Sequence, residues 1–145
     1  MTDTHIDPER AAFDAFKDLP RDAPVEMINL VRFRDRAAYP SDHAEAGNGL
    51  SGAAAYKLYS RDSGPVFARV GGQMVWSGRP ELILIGPADE AWDAAFIARY
   101  PTAAAFLEMV TDPEYRRAVV HRQAGVATSR LIRCAPREGG GGGFG

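Results

Sequence analysis

Runs of apolar residues with a period of two mark four strands along this chain. Val25 to Phe33 (VEMINLVRF) is largely apolar on both faces, which predicts a central strand. Met74 to Gly78 and Leu82 to Ile85 indicate a second strand, interrupted by an Arg-Pro pair. Trp92 to Tyr100 predicts another central strand, and Thr128 to Cys134 predicts the last one.

Apolar positions at helical spacing predict the helices. A stripe from about Ala53 to Val70 indicates a long helix, and Pro65 inside it should kink it by removing one backbone hydrogen bond. Pro101-Thr102 begins a second helical half, which Asp112-Pro113 restarts, because Asp caps a helix and Pro suits its first turn. The same device at Asp7-Pro8 predicts a short helix near the N-terminus.

The predicted order is β-α-β-β-α-β, which is typical of a ferredoxin-like α+β fold with an antiparallel sheet and helices on one face. Within it we expect the first and third strands to be adjacent and parallel. We divide the chain into an N-terminal helical arm (1–24), the α+β domain (25–135) and a disordered Gly-rich tail (136–145). The bare apolar face of the sheet needs a cover, and a second copy supplies one, so we expect a homodimer.

Composition excludes several classes of function. The 145 residues predict one domain, and a net charge of −2 argues against nucleic-acid binding. Cys134 is the only cysteine, so an intrachain disulfide, a cysteine-based zinc site and a CxxC redox centre are excluded. The sequence shows no signal peptide and no membrane span, which favours a cytoplasmic location. The segment 47–52 matches the GxGxxG pattern of dinucleotide-binding loops, but it does not directly follow a strand, so we treat the match as accidental. We predict no metal and no other cofactor.

Three segments together resemble a known family. They are MINLVRF near the start, GGQMVWSG with LILIGP in the middle, and ARYPTAAAFLEMVTDPEYRRAVVHR near the end. Over roughly Val25 to Arg133 the chain resembles the small bacterial proteins grouped as domain of unknown function number thirteen-thirty. The resemblance implies a dimeric α+β barrel, related in architecture to cofactor-free monooxygenases and muconolactone isomerases, and no established activity. The arm, the polar loop 34–52 and the tail are not associated with the core of that family.

Two arginines precede the aromatic residues that end two predicted strands. If those strands are parallel neighbours, Arg32 and Arg99 reach the same end of the sheet and would hold a ligand carboxylate between them. In the alternative interpretation each pairs with a local carboxylate such as Asp35.

Other side chains are candidates for binding the same ligand. Asn29 is an amide on an apolar strand face, where it would orient a ligand or tie a loop to the sheet. Aromatic residues would pack in the core or against a flat apolar ligand, and we include Tyr56, Trp76 and Tyr100 in the predicted site.

Histidine is the usual general base near neutral pH, and two histidines are candidates for that role. His121 lies toward the edge of the last helix, beside Arg122, which would bind the ligand or rest its stem on the core. His43 lies in the long loop 34–52, which would act as a lid or remain disordered. No serine, cysteine or paired carboxylate completes a known constellation with either histidine.

Two functions remain open from the sequence. The first is a small-molecule protein that binds an acidic or aromatic metabolite, with a cofactor-free monooxygenase or isomerase as its catalytic form. The second is a non-catalytic dimer with an interaction or structural role. An ordered lid over a polar and aromatic cavity, with His43 or His121 pointing inward, favours the first in its catalytic form, whereas a cavity filled by side chains favours the second.

Overall fold

One four-stranded sheet with helices packed on one face forms the core of the chain, in a computed structural model that describes residues 4–137. The sheet order is β2-β3-β1-β4. In chain order the elements are α1 Arg10–Asp18, β1 Val25–Phe33, α2 Gly52–Arg69, β2 Gln73–Gly78, β3 Ala94–Tyr100, α3 Ala103–Thr111, α4 Pro113–Gly125 and β4 Val126–Cys134. The ferredoxin-like α+β fold predicted from the sequence is confirmed.

The predicted direction of the third strand is wrong. β1 and β3 are adjacent, but they run antiparallel, with Glu26 opposite Arg99 and Val31 opposite Ala94. The crossover through α2 brings the chain back so that β2 runs in the same direction as β1. The chain then reverses into β3, which therefore runs against β1.

The predicted second part of the broken strand is also wrong. Leu82 to Ile85 form no strand, and the side chains of Leu82, Leu84 and Ile85 are 78%, 85% and 93% exposed. β2 ends at Gly78 on the edge of the sheet, and no strand of the described chain lies beside the segment that follows. Without a partner strand, an apolar run cannot satisfy its backbone groups as a β-strand.

Side chains alternate between the two faces of the sheet, and this alternation defines an inner and an outer face. The inner face carries Met27 and Ala98, which join the buried core with Val66, Phe106 and Tyr115 of the helices. The outer face carries Ile28 and the other even-numbered residues of β1, and no helix within residues 4–137 packs against it.

Local caps determine where the helices begin. The side chains of Ser51, Thr102 and Asp112 accept backbone N–H bonds at the start of α2, α3 and α4. The Asp112-Pro113 cap is therefore confirmed. The Asp7 cap is wrong, because Glu9 is the N-cap residue of α1 and the Asp7 carboxylate instead accepts from Gln123.

The long loop 34–52 has a defined path along α4. The backbone N–H of Arg34 donates to Gly125 O at 2.8 Å, and that of Ala38 donates to Ala124 O at 2.9 Å. The loop closes on itself where Gly52 N donates to Arg34 O at 3.0 Å. None of the helices within residues 4–137 is both long and apolar enough to span a membrane.

Candidate functional site

A cavity of about 1380 Å³ lies between the inner face of the sheet and the helices. Its volume exceeds the roughly 300–1,000 Å³ that is usual for small-molecule sites. Aromatic side chains from both layers line it, namely Phe33, Tyr56, Tyr59, Phe96, Tyr100 and Tyr115. Their common placement follows from alternation in β1 and β3 and from helical spacing in α2 and α4.

The sheet contributes one amide to the floor of this cavity. Asn29 lies opposite Phe96 on β3 and Leu131 on β4, and all three residues line the cavity. The Asn29 Nδ2 atom donates to the carbonyl of Met27 at 3.1 Å. The amide oxygen and the second N–H are therefore available to orient a ligand.

Three tyrosines from the two long helices form the polar part of the wall. The hydroxyl groups of Tyr59 and Tyr115 lie 2.8 Å apart, and the rings of Tyr56 and Tyr59 have centroids 5.3 Å apart. Burial raises the pKa of Tyr56 and of Tyr115 above the ordinary value of 10.0. All three face the cavity, and their hydroxyl groups can donate or accept hydrogen bonds.

Arg122 brings a positive charge to the same wall. Its guanidinium donates to the carbonyl of Ile6, and Nη2 donates to Ser129 Oγ at 3.1 Å. It also lies beside the Tyr56 hydroxyl, where it opposes the effect of burial on the pKa of that phenol. Within residues 4–137 these partners are all neutral, and no salt bridge to a carboxylate balances the charge.

The N-terminal arm covers the mouth of the cavity. Ser129 N donates to His5 O at 2.7 Å, which places the start of the arm along β4, at the edge of the sheet. The other end is held where Arg133 Nη1 donates to Phe16 O at 3.1 Å. Phe13 and Phe16 of α1 face the cavity between these points.

The predicted pairing of Arg32 with Arg99 is wrong. Arg99 is opposite Glu26 at the start of β1, so the two arginines lie about six residues, or about 20 Å, apart along the sheet. Both are on the outer face and neither lines the cavity. Arg99 Nη1 lies 3.4 Å from Glu26 Oε2, so it pairs with a local carboxylate, although not with the predicted Asp35.

The predicted aromatic residues Tyr100 and Trp76 lie on opposite faces of the sheet. Tyr100 lines the cavity, and its hydroxyl donates to the sulfur of Met109 at 3.8 Å. Trp76 is opposite Ile97 and lies on the outer face, where it is half exposed. A register shift in β2 between Met74 and Trp76 separates the inward Met74 from the outward Trp76.

The two predicted proton-transfer histidines lie close together, but outside the cavity. The rings of His43 and His121 have centroids 5.4 Å apart. His121 Nδ1 lies 2.7 Å from the Tyr39 hydroxyl, and its Nε2 lies 3.4 Å from Asp62 Oδ2. Burial lowers the pKa of His121 from its ordinary value of 6.5, which favours the neutral ring. We call these four residues the histidine cluster.

The histidine cluster joins the long loop to α2 and α4. Tyr39 and His43 come from the loop, and their rings stack with centroids 4.7 Å apart. Within residues 4–137 no group of three or more His, Cys, Asp or Glu side chains is arranged to hold a metal ion. The contacts of the cluster hold the loop against α2 and α4.

Sequence reasoning missed several parts of the cavity. Tyr59 and Tyr115 were not included in the predicted site, although their helical spacing places them on an inward face. Ser129 and Phe13 gave no signal, because their roles depend on the arm crossing the sheet from more than a hundred residues away.

A family model agrees with this architecture. The model described as domain of unknown function (DUF1330) matches residues 49–133. The chain belongs to this family. The match ends at the residue where the sequence resemblance ended, and it begins after the arm and most of the long loop.

Solved structures extend the comparison to the arm. A protein of unknown function from Rhodopseudomonas palustris is 54% identical, with a TM-score of 0.86, over 94% of this chain and 99% of that chain. Its methylated form has the same identity and a TM-score of 0.88, over 97% of this chain and all of that chain. The arm and the loop therefore have counterparts in a DUF1330 relative.

More distant structures share the fold alone. The cofactor-independent oxygenase SnoaB from Streptomyces nogalater is 17% identical, with a TM-score of 0.50, over 80% of this chain and 95% of that chain. No functionally curated protein matches the sequence.

Proposed function

We propose that this DUF1330 protein binds a small aromatic or otherwise flat carboxylic acid in the cavity between the sheet and the helices. The aromatic residues hold the body of the ligand, Arg122 binds its carboxylate, and Asn29 with the tyrosine hydroxyls orients it. The observation that carries the proposal is the Arg122 guanidinium, which faces an aromatic cavity with only neutral partners among the described residues.

The energetics favour an anion beside Arg122. Arg122 is half-buried, and partial removal of a charged group from water is costly unless a counter-charge or several hydrogen bonds compensate it. Ile6 O and Ser129 Oγ engage two of the guanidinium nitrogens. Since a guanidinium carries five N–H donors, others remain for a carboxylate, which is the partner it binds most strongly.

The test is direct titration of the protein with 2-naphthoate, a flat aromatic carboxylate, by calorimetry. Naphthalene-2-carboxamide has nearly the same shape without the charge, and it should bind at least about tenfold more weakly, because a charge-assisted hydrogen bond contributes more than a neutral one. Equal affinity for the two compounds, or no binding of either, would contradict the proposal.

Matched variants locate the site. Arg122→Gln should weaken 2-naphthoate binding by at least about tenfold, and Arg122→Lys should restore part of the affinity by restoring the charge. Arg99→Gln is the control, because Arg99 lies on the outer face and pairs with Glu26. Loss of binding in Arg99→Gln with normal binding in Arg122→Gln would place the ligand on the other side of the sheet.

Binding is favoured over catalysis by the position of the candidate bases. His43 and His121 do not line the cavity, so neither can reach a ligand bound against Arg122 in this conformation. A cofactor-free oxygenase or isomerase remains the catalytic alternative, supported by the paired hydroxyls of Tyr59 and Tyr115 inside the cavity. Consumption of oxygen, or a change in the mass of a bound aromatic acid during incubation, would favour that alternative.

We also propose that the outer face of the sheet forms a homodimer. One apolar residue from each strand aligns in a row across it, in the order Trp76, Ile97, Ile28 and Ile132. The exposed segment Leu82 to Ile85 adds further apolar surface that a second copy would cover. Native mass spectrometry should show a dimer, and Ile97→Glu should convert it to a monomer. A monomeric wild-type protein would contradict this assembly.

A further inference from the structure

Helix α1 of the arm presents apolar side chains to the cavity without burying them. Ala12, Phe13 and Phe16 line the cavity, yet none of the residues of α1 is buried. A helix of nine residues is too short to be stable in water by itself, so its position depends on contacts with the rest of the protein. The space beneath its apolar side is consequently available to an occupant.

Both ends of the arm are anchored to the body of the protein. At the first end Ser129 holds His5 and Arg122 holds Ile6 through their carbonyl oxygens. At the second end the Arg133 guanidinium lies 4.6 Å from the centre of the Phe16 ring and donates to the Phe16 carbonyl.

The segment between the anchors is held much more weakly. Among the described residues, no hydrogen bond joins residues 8–15 to a residue outside the arm, and the two ion pairs in this region, Arg10–Asp14 and Lys17–Asp14, lie within α1 itself. The arm is therefore fixed at both ends, whereas its described residues 8–15, which cross the cavity, make no hydrogen bond or ion pair to the body of the protein.

The two phenylalanines of the arm's helix α1 differ in their surroundings. Phe16 packs on Phe106 with ring centroids 5.1 Å apart, which makes it part of the second anchor. Phe13 lies one helical turn earlier and faces the cavity, and among the described residues its ring contacts no other aromatic ring. The ammonium group of Lys17 lies over the Phe13 ring, 5.3 Å from the ring centre.

We propose that α1 is the lid of the ligand site and that Phe13 is a ligand-contacting residue within it. This inference rests on the proposed binding of an aromatic acid. Arg122 couples ligand binding to the closed position of the arm, because it can hold the carbonyl of Ile6 and the ligand carboxylate with different N–H donors. A bound ligand fills the space beneath Phe13 and stabilises the closed position of the arm.

The first measurement is the rate at which trypsin cleaves after Arg10 in the full-length protein. Arg10 is exposed within α1, so cleavage there requires the helix to open locally. Saturating 2-naphthoate should slow the cleavage severalfold. Faster cleavage would mean that the ligand displaces the arm, and an unchanged rate would mean that the arm ignores the ligand. Either result overturns the lid.

The second measurement compares Phe13→Ala with Phe16→Ala. Phe13→Ala should leave Tm nearly unchanged and weaken 2-naphthoate binding about tenfold, the usual order for losing a well-packed aromatic contact. Phe16→Ala should loosen the anchor and speed the cleavage after Arg10 even without ligand.

The results separate the lid from the binding site itself. Normal 2-naphthoate affinity in Phe13→Ala, together with reduced affinity in Arg122→Gln, would overturn the lid and leave the proposed function standing. If the wild-type protein does not bind 2-naphthoate, both the proposed function and the lid are overturned.

Discussion

The cavity and the histidine cluster are separate regions of the molecule, and they differ in what their polar groups contact. The cavity offers space, aromatic walls and the Arg122 cation. The histidine cluster brings together two imidazoles, a phenol and a carboxylate, but these groups contact one another and line no part of the cavity.

This separation shows why a group of titratable residues does not by itself identify an active site. In the histidine cluster the hydrogen bond of His121 to Tyr39 is made to the loop, and it fixes the loop against the helices. In the cavity the tyrosine hydroxyls and Arg122 keep hydrogen-bonding capacity for a ligand. The proposed binding therefore belongs to the first region, whereas the contacts of the second join the loop to the helices.

The largest loss of stability is expected for a substitution where the loop meets α2 and α4. A Cβ atom on Gly52 would lie 2.2 Å from Arg34 O and 2.6 Å from Gly125 O, and both are backbone atoms. Gly52→Ala should lower the free energy of unfolding by about 3 kcal/mol, because neither atom can move aside.

Gly64 provides the matched control in the same helix. Apart from its chain neighbours and the backbone of α2, its Cβ would meet nothing within 4 Å. Gly64→Ala should therefore change the free energy of unfolding by less than about 1 kcal/mol, because the gain in helix propensity is opposed by the crowding of a Cβ against Pro65. Urea unfolding measures both variants, and equal changes in the two would show that the close contact at Gly52 is unimportant.

The next largest loss of stability is expected in two tyrosine variants, one in each region, which differ in their effect on ligand binding. Tyr59→Phe and Tyr39→Phe each remove one side-chain hydrogen bond, to Tyr115 and to His121, and each should cost about 1–2 kcal/mol of unfolding free energy. Only Tyr59→Phe should also change the affinity for 2-naphthoate in calorimetry. An equal change of affinity in Tyr39→Phe would show that the regions are coupled.

A smaller effect concerns pH. Because the pKa of folded His121 is lowered from 6.5, chiefly by burial, the unfolded chain takes up this proton first as the pH falls. The contribution of His121 to stability is complete above pH 6.5 and is lost as the pH falls from there toward the lowered pKa of the folded state.

Urea unfolding between pH 5 and pH 7.5 measures this dependence. His121→Gln should flatten the curve in that window. Asp62 does not interfere, because its pKa is lowered from 3.8, first by the hydrogen bond from Arg61, and so lies below the window. A curve of unchanged slope in His121→Gln would assign the pH dependence to other groups.

The smallest change in stability is expected at the Arg99–Glu26 ion pair, at one end of the outer face. The Arg99 side chain is 37% exposed and pairs with Glu26 at 3.4 Å, so Arg99→Gln should change the unfolding free energy by at most about 0.5 kcal/mol. Thermal unfolding at low and high salt checks this value. A loss above about 2 kcal/mol would show that the proposed dimer interface extends over this ion pair and buries it.

Most of the fold could be predicted from the sequence, and part of the candidate site could be as well. Asn29, Tyr56, Tyr100 and Arg122 were named correctly as residues that line one cavity, since strand alternation and helical spacing place them inward. Their role in binding stays a prediction.

Arg32, Arg99 and Trp76 were misplaced because of long-range pairing. One assumption about the direction of β3 brought Arg32 and Arg99 together, although both lie on the outer face at opposite ends of the sheet. Trp76 points outward because of the register shift in β2.

The sequence by itself determined the order of the elements, the caps of the main helices and the apolar character of both sheet faces, because these depend on residues close together in the chain. The tertiary structure alone decided the direction of β3, the separation of the histidine cluster from the cavity, and the path of the arm from His5 to β4. These features depend on contacts between residues that lie from about sixty to more than a hundred positions apart, such as His5 with Ser129 and His121 with Asp62. No local pattern encodes such contacts, because their free energy exists only when the distant segments have been brought together.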